Sequence, residues 1–184
     1  MEKRTLDSGP SRDSLYLLDG LIQTREKLLT MIDKVDEEDL YFHVPQVPTV
    51  AGYLLHLAQI ELWWNKEVLR QQPLSEEDHE RFLFQEKQEI VTPPKQEKAW
   101  FLSRLGEARM LTREHFMMMS DMEFKRPSLE VVLGDEETYC SPEWVLYHLI
   151  DHESYHRGQM ALIFTLMNGK REKWDHFTTP YLSL

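Results

Sequence analysis

Three imidazoles stand four residues apart in His148-Leu-Ile-Asp-His152-Glu-Ser-Tyr-His156, a stretch whose composition reads as helix, and a fourth, His56, lies in another strongly helical stretch. Residues four apart share one helix face, about 6 Å apart along the axis at ~1.5 Å per residue, so two neighbouring histidines can point at one metal ion. A third ligand from a second helix completes such a site. Neutral imidazole suits zinc, nickel, copper and iron, and three protein ligands leave a coordination position open for chemistry. A single ion cannot take all of His148, His152 and His156, because the outer two lie about 12 Å apart along the axis while metal–nitrogen bonds are about 2.0–2.1 Å. The spacing leaves two pairs open, His148 with His152 and His152 with His156. The bland alternative is a polar helix stripe whose histidines satisfy Asp151 and Glu153. Three histidines in a row weigh against it. So does His56, since its helix is apolar nearly all round and a buried imidazole needs a partner for each ring nitrogen.

Four long amphipathic segments must position these groups. The first runs from about Arg12 to Ile32, with Leu15, Leu18, Leu21, Ile22, Leu28, Leu29 and Ile32 at helical spacing. The second follows Thr49 as N-cap, carries Val50, Tyr53, Leu54, Leu57, Ile60, Trp63, Trp64 and Val68, and stops near Pro73. The third runs from about Gln96 to Ser120, with Phe101, Leu105, Ala108, Leu111, Phe116 and Met119 as core positions. The fourth opens with Ser141 as N-cap, Pro142 at the first helical position and Glu143 near the positive end of the helix dipole, and it ends at Asn168-Gly169.

Before that last helix, residues 129–140 read as two short extended pieces around a Gly134-Asp135 turn, a small hairpin. The segment from Pro73 to Pro94 is long for an antiparallel helix connection and suits a crossover that makes the second and third helices parallel. Phe82-Leu-Phe84 within it is a candidate short helix. The expected fold is therefore all-α, one domain over residues 1–184, a four-helix bundle running up-down-down-up.

The combination of Pro48-Thr-Val-Ala-Gly-Tyr-Leu-Leu-His56-Leu-Ala with His152-Glu-Ser-Tyr-His156-Arg-Gly-Gln159 resembles the DinB/YfiT-like superfamily of bacterial metal-binding helical bundles. The resemblance covers nearly the whole chain in order and length. It implies one histidine from the second helix and two ligands spaced by four from the last, which here are His56, His152 and His156. It implies a divalent transition metal, zinc or nickel, and a homodimer, although no heptad pattern marks the face that pairs. Members include transferases and isomerases that use a low-molecular-weight thiol. The resemblance thus implies a metal-dependent transferase that activates a small thiol such as bacillithiol toward an electrophilic acceptor. The alternatives are metal-assisted hydrolysis, with Glu153 or Glu61 as base, and a metal-stabilised stress or binding protein without turnover. No catalytic side chain is assigned.

Around the three ligands, His148 is either an outer partner one turn away or an ordinary helix residue. Gln159 is a hydrogen-bonding partner for a ligand or substrate, or else a packing residue. Gly158 permits close helix approach. Trp63, Trp64, Met117, Met118 and Met119 read as plain core rather than pocket, and His43, His79, His115 and His176 as surface or boundary residues. Trp174, Phe177 and Tyr181 near the end of the chain either cap the bundle or cover a partner.

Length and charge bound the rest. The chain has 184 residues, one cysteine and a formal net charge of −11. Cys140 has no intramolecular disulfide partner, nothing near it depresses its pKa, and the N-terminus lacks the apolar run of a secretion signal, so a reducing cytoplasm fits best. No apolar stretch approaches the roughly 20 residues that span a bilayer, and a soluble protein is expected. No basic stripe is present to displace counterions from phosphates, which argues against a nucleic-acid partner.

Overall fold

The computed structural model describes residues 11–85, 89–133 and 136–168. Among them the chain is mostly helical with one small sheet, consistent with an all-α class. Local chemistry sets the helix starts. Helix α1 (Arg12–Asp33) begins where the Ser11 side chain accepts the Ser14 N–H at 3.1 Å, and α2 (Val50–Trp63) where the Thr49 hydroxyl accepts the Gly52 N–H at 3.1 Å. Past Trp63 the chain continues as a π-helix over Trp64–Leu69. The remaining helices are α3 (Glu76–Arg81), α4 (Lys98–Met117), α5 (Asp121–Lys125) and α6 (Pro142–Asn168). The start of α6 is the expected one, with Ser141 Oγ accepting the Trp144 N–H at 3.2 Å.

The expected hairpin is present as β1 (Leu129–Leu133) and β2 (Glu136–Cys140), antiparallel, with Leu129 opposite Cys140. Its Gly134-Asp135 turn, Gly169 of the expected α6 cap, His176 and the aromatic residues at 174, 177 and 181 lie outside the described residues.

Three expectations need correction. Phe82-Leu-Phe84 is not a helix. The short helix lies just upstream, where Ser75 and Asp78 form a reciprocal capping box, and Leu83 takes a left-handed conformation at φ 49° that ends it. Leu15 and Leu29, counted on the apolar face of α1, are each 39% exposed, because the stripe that packs is the narrower Leu18, Leu21, Leu28 and Ile32. Gly158 is not a close-approach site, since a Cβ there would meet nothing within 4 Å. That role belongs to Gly52, whose Cβ would come 3.1 Å from the Val91 carbonyl oxygen.

The contact at Gly52 is part of how the segment after α3 is fastened over α2. Gln59 Nε2 donates to the Phe82 and Leu83 carbonyls at 2.8 and 3.2 Å, and the Thr49 and Thr92 hydroxyls meet at 3.0 Å. The core is divided into two apolar clusters. One holds Leu28, Ile32, Leu54, Leu57, Ala58, Leu62, Phe101, Leu105, Met160 and Ile163, and the other Leu18, Leu21, Trp64, Val68, Phe116, Phe124, Val145 and Leu149. On each of α1, α2, α4 and α6 one charged residue falls at the border between them: Arg25, Glu61, Arg109 and Glu153.

Candidate metal centre

The imidazoles of His56 on α2 and of His152 and His156 on α6 converge. Their ring nitrogens lie within 4.8 Å of one another, and these three residues could hold a metal ion. The Nε2 atom of His152 stands 3.2 Å from Nε2 of His56 and 3.1 Å from Nε2 of His156. One ring nitrogen carries either a proton or an in-plane lone pair, so His152 Nε2 cannot hydrogen-bond well to both neighbours at once. A shared ion would resolve the crowding. Nitrogens bound to one ion at about 2.0–2.1 Å with near-tetrahedral angles are separated by about 3.1–3.4 Å, and the donor set is one that zinc and nickel accept.

The electrostatics agree with three neutral, lone-pair-bearing rings. Burial, and then the neighbouring His156, lowers His56 to about 4. Burial and the three surrounding histidines lower His152 to about 3. His156, 7% exposed, is also lowered by burial, partly offset by Gln159. Gln159 Oε1 lies 2.6 Å from His156 Nδ1. An amide oxygen only accepts, so Nδ1 carries the proton and Nε2 presents its lone pair to the other two rings.

Beneath the imidazoles lies a buried ionic quartet. Arg25 donates to Glu153 at 2.8 Å and Glu61 at 2.9 Å, and Arg109 donates to Glu61 at 2.6 Å and Glu153 at 2.7 Å. Each guanidinium also bonds the other's helix, Arg25 to the Leu105 carbonyl at 2.9 Å and Arg109 to the Leu21 carbonyl at 2.8 Å. Burial alone would push the Glu61 carboxyl up, yet Arg109 and Arg25 outweigh it and hold it below the usual carboxylate range. Arg25 and Arg109 are absent from the residues that spacing singles out. A signal was available, because Arg25 occupies a core position in the run Leu18, Leu21, Arg25, Leu28, Ile32. A charge at such a position demands a buried partner.

On one side the triad opens to a cavity of 840 Å³ whose lining includes His56, His152, His148, Trp63, Trp64 and Trp144. The Trp63 and Trp64 rings therefore do line a pocket, while Met117 and Met118 are exposed elsewhere at 43% and 86% and Met119 packs against the second apolar cluster.

A family model described as mycothiol S-transferase matches residues 16–169. The chain belongs to this family. With it comes membership of the DinB/YfiT-like superfamily. A solved structure, described as the conserved protein of a locus from Enterococcus faecalis, superposes with a TM-score of 0.68 at 16% identity, over 85% of this chain and 98% of that one, a likeness of fold. Comparison with curated proteins yields no match.

In this member of the mycothiol S-transferase family, His148 does not join the triad. Its ring stacks between Trp144, at 5.1 Å and 9°, and His152, at 5.7 Å and 30°, and it forms part of the cavity wall. Arg157 points away, donating to the Thr24 carbonyl at 3.2 Å. Cys140 is 8% exposed in β2, and burial pushes its thiol up, which suits a packing residue rather than a nucleophile. His43 and His79 are exposed and His115 is half-buried; none of them belongs to the triad, although His79 lines the same cavity. No described helix is long and apolar enough to cross a membrane.

Proposed function

We propose that the protein is a metal-dependent thiol S-transferase in which His56, His152 and His156 hold a divalent transition metal, zinc or nickel. The observation that carries this is the convergence of three ring nitrogens beside a large cavity that His56 and His152 line, and membership of a family described by thiol transfer supports it. A divalent ion in that place supplies Lewis acidity that keeps a small thiol ionised, and so nucleophilic, at neutral pH.

The side chains have distinct tasks. Gln159 holds the proton of His156 on Nδ1, keeping Nε2 free. The quartet ties α2 and α6 to α1 and α4, which fixes His56 opposite His152. The aromatic wall of Trp63, Trp64 and Trp144 excludes water and gives the acceptor an apolar surface. The thiol is a low-molecular-weight one of the mycothiol or bacillithiol kind, and the second substrate is an electrophile. Metal-assisted hydrolysis is disfavoured, because Glu61 and Glu153 each already bind two arginines and neither is a free base. The rest of the reading is a single domain over residues 1–184, an up-down-down-up bundle, a homodimer and a cytoplasmic setting.

The test is elemental analysis of protein purified without a histidine tag or chelator, beside a His56→Ala, His152→Ala double variant, followed by conjugation of a small thiol to an alkyl halide. About one equivalent of metal and metal-dependent conjugation in the parent, with neither in the variant, is the expected result. Lack of metal after reconstitution would overturn it.

A further inference from the structure

The cavity changes character away from the imidazoles. From His152 a stack of rings runs back along α6 through His148 to Trp144. Trp64 meets that stack at 5.7 Å from Trp144 and 5.1 Å from His148, and Trp63 leans edge-on against Trp64 at 5.0 Å. His56 to Trp63 and His152 to Trp144 each span two turns or slightly more, about 10–12 Å at ~1.5 Å per residue. The tryptophans thus form a distinct far end. Trp144 is 40% exposed although His148 stacks on it and Trp64 leans against it, so part of its indole is open to a ligand.

This far end also carries a carboxylate. Glu67, on the π-helical continuation of α2, lines the same cavity, and its Oε1 accepts the Leu74 N–H at 2.8 Å, which pins the side chain there and leaves the second oxygen available. Among the described lining residues there is no lysine or arginine, and the other carboxylate, Glu89, adjoins the Ile90-Val91 stretch that packs on Gly52, on the opposite side of His56 from Trp63. Indole faces present negative potential and attract cations, most strongly when a carboxylate stands nearby and water is partly excluded.

We infer that the far end of the cavity binds an aromatic cation, a flat ring carrying positive charge, with the ring against Trp144 and the charge toward Glu67. Calling this molecule the acceptor rests on the transferase reading: the acceptor is then elongated, with its electrophilic carbon at the imidazole end and its cationic ring about 10 Å away. The binding site itself needs neither metal nor thiol.

Calorimetric titration of the full chain, with metal and after metal removal, against three matched probes tests this: 1-naphthylmethylammonium, the neutral 1-naphthylmethanol and the anionic 1-naphthoate. In the metal-free protein the ammonium should bind at least fivefold more tightly than the alcohol, and the naphthoate most weakly. Glu67→Gln should reduce the preference for ammonium over alcohol to under twofold while leaving alcohol binding unchanged. Trp144→Ala, at a half-exposed position that leaves helical content intact, should weaken all three at least fivefold. Naphthoate binding as tightly as the ammonium, no binding of any probe, or an unchanged preference in Glu67→Gln would overturn the inference. Probe binding without metal uptake or thiol conjugation would sink the transferase reading alone, whereas conjugation without probe binding would sink this one alone.

Discussion

Gln159 Oε1 sits 2.6 Å from His156 Nδ1, and this one contact decides which nitrogen of His156 faces His152. Without the acceptor the imidazole is free to place its proton on Nε2, where it opposes metal binding. Gln159→Leu is therefore expected to weaken metal affinity about 10–100-fold, the range seen when such outer hydrogen bonds are removed. Competition against a fluorescent chelator measures it. Gln159→Glu, which keeps an acceptor, should recover most of the loss, and equal affinities in the parent and Gln159→Leu would refute the role.

The buried imidazoles set a direction for the acid response of metal-free protein. His56 and His152 are lowered to about 4 and about 3, below their ordinary values in the unfolded chain. The unfolded state therefore binds protons first as the pH falls. Both groups favour the folded state fully above about pH 6.5, and this contribution is lost between there and pH 3–4, with a slope of at most ~1.4 kcal/mol per pH unit for each ring. Melting temperature should drop between pH 6.5 and 4. His56→Ala should flatten that drop, and an identical pH profile in the variant would contradict the assignment.

Breaking the quartet from one side should cost more than any surface ion pair. Arg25→Met leaves two carboxylates of 3% side-chain exposure sharing one guanidinium. Urea unfolding should show a loss of about 3–5 kcal/mol. Replacing all four charges by apolar residues of similar volume should restore much of that, since burying ions has its own cost.

Two glycines in helices should respond in opposite ways. Gly106→Ala, where a Cβ meets nothing within 4 Å, is expected to stabilise the protein by about 0.5–1 kcal/mol through lower chain entropy in the unfolded state. Gly52→Ala places a methyl 3.1 Å from the Val91 carbonyl and must push the cavity wall outward. It should be destabilising and should alter probe binding. Thermal melts of the two variants side by side decide this.

What the sequence made legible was mostly short-range. Thr49 and Ser141 announce helix starts because a cap is a contact across three residues. The pairing of His152 with His156 follows from helical spacing, although choosing it over His148 with His152 required the family resemblance. The remainder depends on chain partners far away. Arg25 contacts Glu153 across 128 positions and the Leu105 carbonyl across 80, and no local pattern encodes such pairings. Gly158 misled for the same reason: a helical glycine tells of freedom to approach, while only the assembled neighbours show whether anything does so.

The quartet also bears on which helices can stand beside which. Its cations come from α1 and α4 and its anions from α2 and α6, and every one of the four ion pairs joins a cationic helix to an anionic one. The two pairs that pack most extensively, α1 with α6 and α2 with α4, each set a cation against an anion, while like-signed α1 and α4, and α2 and α6, pack less closely. A misassembled chain that exchanged α1 for α2 would set arginine against arginine and carboxylate against carboxylate where no water can intervene. Four residues buried beneath the imidazoles thus penalise wrong helix neighbours, so that the assembly errors open to an apolar bundle of the same shape are denied to this one.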